Sequence, residues 1–87
     1  MRLWILRPRR DVVDDGARSV TDLWAPWYDK TFGVVVRAET DDEARAIASK
    51  VAGDEGEAAW LSATFTTCDE LVPDGEPGVI MRDFAAA

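Results

Sequence analysis

Apolar positions crowd the start of the chain. Residues 2–7 (Arg-Leu-Trp-Ile-Leu-Arg) form a short apolar run stopped by Pro8, which favours a strand over a helix. Leu3 and Ile5 then share one face, Trp4 and Leu6 the other, so the strand is apolar on both sides and belongs in the centre of a sheet or under a loop. Residues 32–39 give the clearest second strand, because three consecutive valines suit a pleated surface and disfavour helix. Phe32, Val34, Val36 and Ala38 fall on one face. Gly33, Val35 and Arg37 fall on the more solvated one.

A helix follows. Thr40 and Glu43 form a capping box, and Asp41, Asp42 and Glu43 place negative charge where the helix dipole favours it. Ala44, Ile47, Ala48 and Val51 recur at helical spacing with Arg45 and Lys50 off the stripe, and Gly53 suits a left-handed C-terminal cap. The pattern predicts one helix over about 41–52. Beyond the acidic turn at residues 54–57, Ala58–Leu61 is a short apolar patch, residues 65–72 read as a strand, residues 73–78 as a turn cluster and residues 79–84 as a last strand. The expected fold class is α+β: a three- or four-stranded, mainly antiparallel sheet with the helix on one face, in the order β-loop-β-α-β-β.

The segment 8–31 carries no convincing period, and a stretch of that length without regular structure often has a task. It contains Trp24-Ala25-Pro26-Trp27-Tyr28. These aromatics read either as a lid over one sheet face or as anchors for a partner, since Trp and Tyr are enriched at interface hot spots. Trp4 and Trp60 read as core.

A length of 87 residues bounds the chain to a single domain, 1–87, with a small core. No apolar run approaches a membrane span, and in MRLWILRPRR the charges follow the apolar residues, unlike a signal peptide. One cysteine, Cys68, makes no internal disulfide, so a cytoplasmic setting is expected. Without histidine there is no imidazole base, no Ser-His-Asp or Cys-His pair and no ordinary zinc site. Asp54, Glu55 and Glu57 lack the spacing of a calcium loop, the glycines form no phosphate cradle, and acids beside Cys68 raise its pKa. The chain is therefore not expected to be an enzyme or to hold a metal or cofactor.

Charge distribution is the informative part. The chain has 17 acidic and 10 basic residues, a net charge of −7. Arg2, Arg7, Arg9 and Arg10 sit in the first ten residues, and the negative excess comes later: seven acids against Arg45 and Lys50 from Glu39 to Glu57, five against Arg82 beyond. Such a field repels nucleic acid and favours a protein partner with a basic surface. Asp41, Asp42, Glu43, Asp54, Glu55 and Glu57 are the candidate charged contacts, imitating a run of phosphates. Trp24, Trp27 and Tyr28 are the candidate anchors.

The stretch Trp27-Tyr28-Asp29-Lys30, the run Val36-Arg37-Ala38-Glu39-Thr40-Asp41-Asp42-Glu43-Ala44-Arg45, and the later Trp60-Leu61 and Thr66-Thr67-Cys68 resemble small uncharacterised proteins of phages and prophages in high-GC bacteria. Such proteins include accessory and anti-CRISPR proteins, often short and acidic, which block a surveillance complex by occupying its nucleic-acid path. The resemblance implies a stoichiometric inhibitor of a nucleic-acid-processing complex, with a CRISPR surveillance complex as partner. No site residue is carried over from it. The alternative is a structural or self-assembling phage accessory protein, a homodimer built on Val35, Trp4 and the aromatic loop. A small ligand binder with an aromatic pocket is the third reading.

Overall fold

The computed structural model describes residues 1–9, 24 and 29–82. Most of the 8–31 segment, including Trp27 and Tyr28, lies outside the described residues, as does the end of the last expected strand.

The doubly apolar run at the start of the chain becomes β1 (Arg2–Pro8), and it is the central strand as its pattern requires. It pairs antiparallel with β2 (Val34–Ala38) on one side and β3 (Thr66–Glu70) on the other. Trp4 lies opposite both Val36 and Glu70, and Leu6 opposite Val34 and Cys68. These residues therefore share the face that meets the helices. The valine run alternates as read: Val36 and Ala38 are buried, while Val35 and Arg37 are exposed. The class is α+β with three described strands.

Two helices lie in the link between β2 and β3. The first, α1 (Asp41–Ser49), starts at the expected cap, where the Thr40 hydroxyl accepts from the Glu43 N–H at 3.2 Å. The Glu43 carboxylate reaches back to the Glu39 N–H at 3.4 Å, one residue earlier than a standard capping box. The helix ends at Ser49, short of residue 52, because its last turn tightens: the N–H groups of Lys50, Val51 and Ala52 donate three residues back, to Ile47, Ala48 and Ser49. Gly53 is not a left-handed cap. It lies where the Asp29 carbonyl passes so close that a Cβ would collide with it.

The buried stripe also differs from the one read in the sequence. Ala44 and Ala48 are fully buried, but Ile47 is 39% and Val51 58% exposed. The inward face is turned towards Arg45 and Ser49. Arg45 causes this: its guanidinium donates to the Trp60 carbonyl at 3.0 Å, the Thr66 hydroxyl at 2.8 Å and the Thr66 carbonyl at 3.0 Å. Three bonds to inward-facing oxygens hold that side of α1 against β3.

The apolar patch near Trp60 is a second, one-turn helix, α2 (Glu57–Leu61), which corrects the expectation of a single helix. Gly56 enters it at φ 90°, a left-handed conformation that costs a side-chain-bearing residue energy. The core joins Trp4, Leu6, Trp24, Val36, Ala38, Ala44, Ala48, Ala59 and Trp60. Each described tryptophan also satisfies its indole N–H: Trp4 on the Ala38 carbonyl (3.0 Å), Trp24 on the Phe65 carbonyl (3.2 Å) and Trp60 on Glu55 (2.6 Å). Burying one such ring stabilises by about 4–6 kcal/mol before entropy, several times a helix cap. Trp24 and Trp60 meet edge to face with ring centroids 5.5 Å apart.

The far side of the sheet is not bare. Ile5 is only 3% exposed there, because residues 71–82 run back across it. Leu71 extends the ladder by donating to the Leu3 carbonyl at 2.8 Å, Arg7 donates to the Ile80 carbonyl at 2.8 Å, and Met81 packs on Gly33. No strand forms over residues 79–82, contrary to expectation. Pro73 and Pro77 interrupt the approach, and side-chain contacts hold the segment where a ladder would have.

Candidate protein-binding surface

The sheet register decides which acids share a surface. Arg2 lies opposite Ala38 and Trp4 opposite Glu70, so β1 begins where β2 and β3 end. Glu39 and Thr40 carry the chain from that edge straight into α1. One end of the sheet thus gathers Glu39, Asp41, Asp42, Glu43, Asp69 and Glu70, all exposed. The start of α1 touches β3 directly, with the Cys68 thiol 3.9 Å from the Asp41 carbonyl. The single ion pair found here among the described residues is Arg2–Glu70 at 3.7 Å, with both side chains solvated, which is worth at most about 1 kcal/mol.

The Cys68 thiol senses this surface. Its pKa is raised, first by burial and then by Asp41, Asp69 and Asp42, while Arg45 works in the opposite direction. Burial leads, rather than the neighbouring acids on which the sequence reading relied. The thiol is half-buried and protonated at neutral pH.

The second group of candidate acids lies elsewhere. Asp54 and Glu57 follow the far end of α1, a nine-residue helix about 13 Å long. The six candidates do not form one run of charge. Asp54 is exposed but occupied: its carboxylate accepts from the Asp29 N–H at 3.0 Å, while its own N–H donates to the Asp29 carbonyl at 2.6 Å. Glu57 is exposed in the first turn of α2.

Glu55 requires a correction. It is 3% exposed and faces the core. Its Oε1 accepts from the Thr31 N–H at 3.0 Å, and its Oε2 from the Gly53 N–H at 3.0 Å and the Trp60 indole N–H at 2.6 Å. Three donors converge on it, so Glu55 ties residues 29–31, the end of α1 and α2 together and offers no charge to a partner. Trp24 is corrected in the same way. At 2% exposure it belongs to the core, leaving Trp27 and Tyr28, outside the described residues, as the aromatic candidates. Trp4, 9% exposed, is likewise a core residue and not part of an exposed self-association patch.

The sequence reading missed a groove on the far side of the sheet, about 230 Å³ in volume. Its floor includes Ile5 and Ile80, and its rim carries Asp69, Asp74 and Glu76, while Glu70, opposite Trp4 on the helix face of the sheet, borders it from the edge of β3. Asp69 and Glu70 belong to the acidic end as well, so the two surfaces are continuous. The negative balance beyond Ala58 was the available signal, but only the fold-back of residues 71–82 turns it into a shape. Among the described residues there is no metal-binding group of three or more His, Cys, Asp or Glu, and no helix is long and apolar enough to cross a membrane. Comparison with protein-family models, with curated proteins and with solved structures finds no match.

Proposed function

We propose that this chain is a small acidic protein-binding module, a stoichiometric inhibitor of anti-CRISPR type that occupies a basic site where a nucleic-acid-processing complex holds phosphates. The observation that carries the reading is the gathering of Glu39, Asp41, Asp42, Glu43, Asp69 and Glu70 at one end of the sheet. Opposite charge speeds the encounter most at low salt. Asp54 and Glu57 form a secondary contact on a larger basic surface. Trp27 and Tyr28 supply apolar anchorage. The module acts by occupancy without catalytic turnover, in the cytoplasm where such complexes work. The test is capture of the tagged chain's partners from a CRISPR-bearing host at low salt, followed by competition with nucleic acid. A nucleic-acid-processing complex that is released by both salt and competing nucleic acid supports the reading. Its absence from the captured set contradicts it.

One observation favours the alternative of self-assembly. Leu71 and Arg9 donate to β1 and Phe65 on the β3 side, so even-numbered β1 residues bond to β2, and the backbone of Val35 and Arg37 points outward from an edge strand. Val35 is also exposed. Edge-to-edge pairing of β2 between two copies would show as a dimer by light scattering, and a strict monomer at high concentration eliminates it.

A further inference from the structure

The groove on the far side of the sheet combines two properties. Its floor is apolar, with Ile5 buried beneath and Val72 and Ile80 more than half exposed at its sides. Its rim is acidic. Of the acids that line or border it, Glu70 is turned to the helix face of the sheet and pairs with Arg2, and Asp74 accepts from the Gly75 N–H at 3.0 Å. The Asp69 and Glu76 carboxylates hold no hydrogen bond or ion pair among the described residues. The one cation in the lining, Arg7, donates an Nη1–H to the Ile80 carbonyl at 2.8 Å and braces the groove wall, leaving the acids in excess of it.

We infer that this groove receives an arginine of the protein partner, flanked by apolar residues, with the guanidinium between Asp69 and Glu76 and the methylene stem on Ile5 and Val72. This rests on the reading of the chain as a protein-binding module and names the chemistry the partner must carry. A groove of about 230 Å³ has room for the seven heavy atoms of an arginine side chain. Arginine suits the site better than lysine. Its head is weakly hydrated and forks to two carboxylates, and its stem covers apolar surface. A second copy of this chain, at net charge −7, brings more negative than positive charge to the rim, and nucleic acid brings only negative charge.

The experiment is a titration of the full ¹⁵N-labelled chain, followed by NMR, with the peptide acetyl-Gly-Leu-Arg-Leu-Gly-amide. The same peptide carrying citrulline or lysine in place of arginine, and octa-lysine, are titrated in parallel. The expected result is shifts confined to the amides of Ile5, Val72, Glu76 and Ile80. Affinity falls at least tenfold with citrulline and several-fold with lysine. Asp69→Asn with Glu76→Gln lowers arginine-peptide affinity at least fivefold while the spectrum of the free chain stays folded. Equal binding of the three peptides, or no shift in the groove, overturns the inference. If octa-lysine still binds around Asp41–Glu43 in that case, the acidic module survives without the groove. If nothing binds at low salt, both fail.

Discussion

Removal of the Glu55 carboxylate is the most demanding test of how this small core is held. Three donors end on that carboxylate in a place with almost no solvent: the Thr31 and Gly53 N–H groups and the Trp60 indole. Glu55→Ala leaves all three without an acceptor. A hydrogen bond to a charged group contributes about 1.5–3 kcal/mol, and each orphaned donor costs about 1–3 kcal/mol, with part recovered because a buried charge disappears. The net expectation is a loss of about 3–5 kcal/mol. An 87-residue domain has about 4–13 kcal/mol in total, so the variant is close to unfolding at 25 °C. Glu55→Gln is gentler, about 2–3 kcal/mol. With the amide oxygen placed at Oε2 it still serves Gly53 and Trp60, but its NH₂ faces the Thr31 N–H, donor against donor. Urea unfolding followed by tryptophan fluorescence reads both, with the slope unchanged and the midpoint lowered in the order wild type, Gln, Ala. Asp54→Asn and Glu57→Gln serve as exposed neighbours expected within about 1 kcal/mol of wild type. A Glu55→Ala loss below about 1 kcal/mol would refute the picture of a carboxylate holding three elements together.

Three further outcomes follow from the same structure. Gly53→Ala drives a methyl group into the Asp29 backbone and should lower stability by about 1–3 kcal/mol in urea unfolding, whereas Gly33→Ala meets only the flexible end of Met81 and should cost less. Thr40→Ala removes the acceptor for the Glu43 N–H, and the expected loss is about 1 kcal/mol, with α1 fraying first by amide hydrogen exchange. Cys68 should alkylate more slowly than a free thiol at mildly alkaline pH, with its rate midpoint displaced upward. Because the folded thiol holds its proton longer than the unfolded one, its contribution to stability is complete below the ordinary thiol pKa and fades as pH climbs from there to the raised value. A Cys68→Ser variant should show a smaller stability loss across that alkaline window.

Those features also explain what the sequence could and could not announce. The strands around the apolar run and the valine triplet were legible because alternation and β-branching act locally, and the cap at Thr40 because its donors lie within three residues. The rotation of α1 was not legible. It depends on Arg45 finding oxygens at Trp60 and Thr66, 15 and 21 residues away, which no helical period encodes. Glu55 looks like any acid in a polar turn until the Trp60 indole and the Thr31 backbone arrive from elsewhere. The same holds for the site. The exposure of Asp41, Asp42 and Glu43 follows from their place in a first turn, but their meeting with Asp69 and Glu70 needs the register of β3 on β1. The separation of Asp54 and Glu57 from that group is the length of one helix, easily overlooked when charge is summed along a line.

Binding of a basic partner rests on the anionic groups at the β2–α1 end of the sheet. The most direct measurement is the inhibition of target-DNA binding by a purified CRISPR surveillance complex. The wild-type chain and an Asp41→Asn, Asp42→Asn, Glu43→Gln variant, shown to be equally folded, are titrated at low and at physiological salt. The expected result is stoichiometric inhibition by the wild type that weakens as salt rises, and at least a tenfold weaker effect from the neutralised variant at low salt. Equal potency of the two chains, or inhibition indifferent to salt, would contradict it.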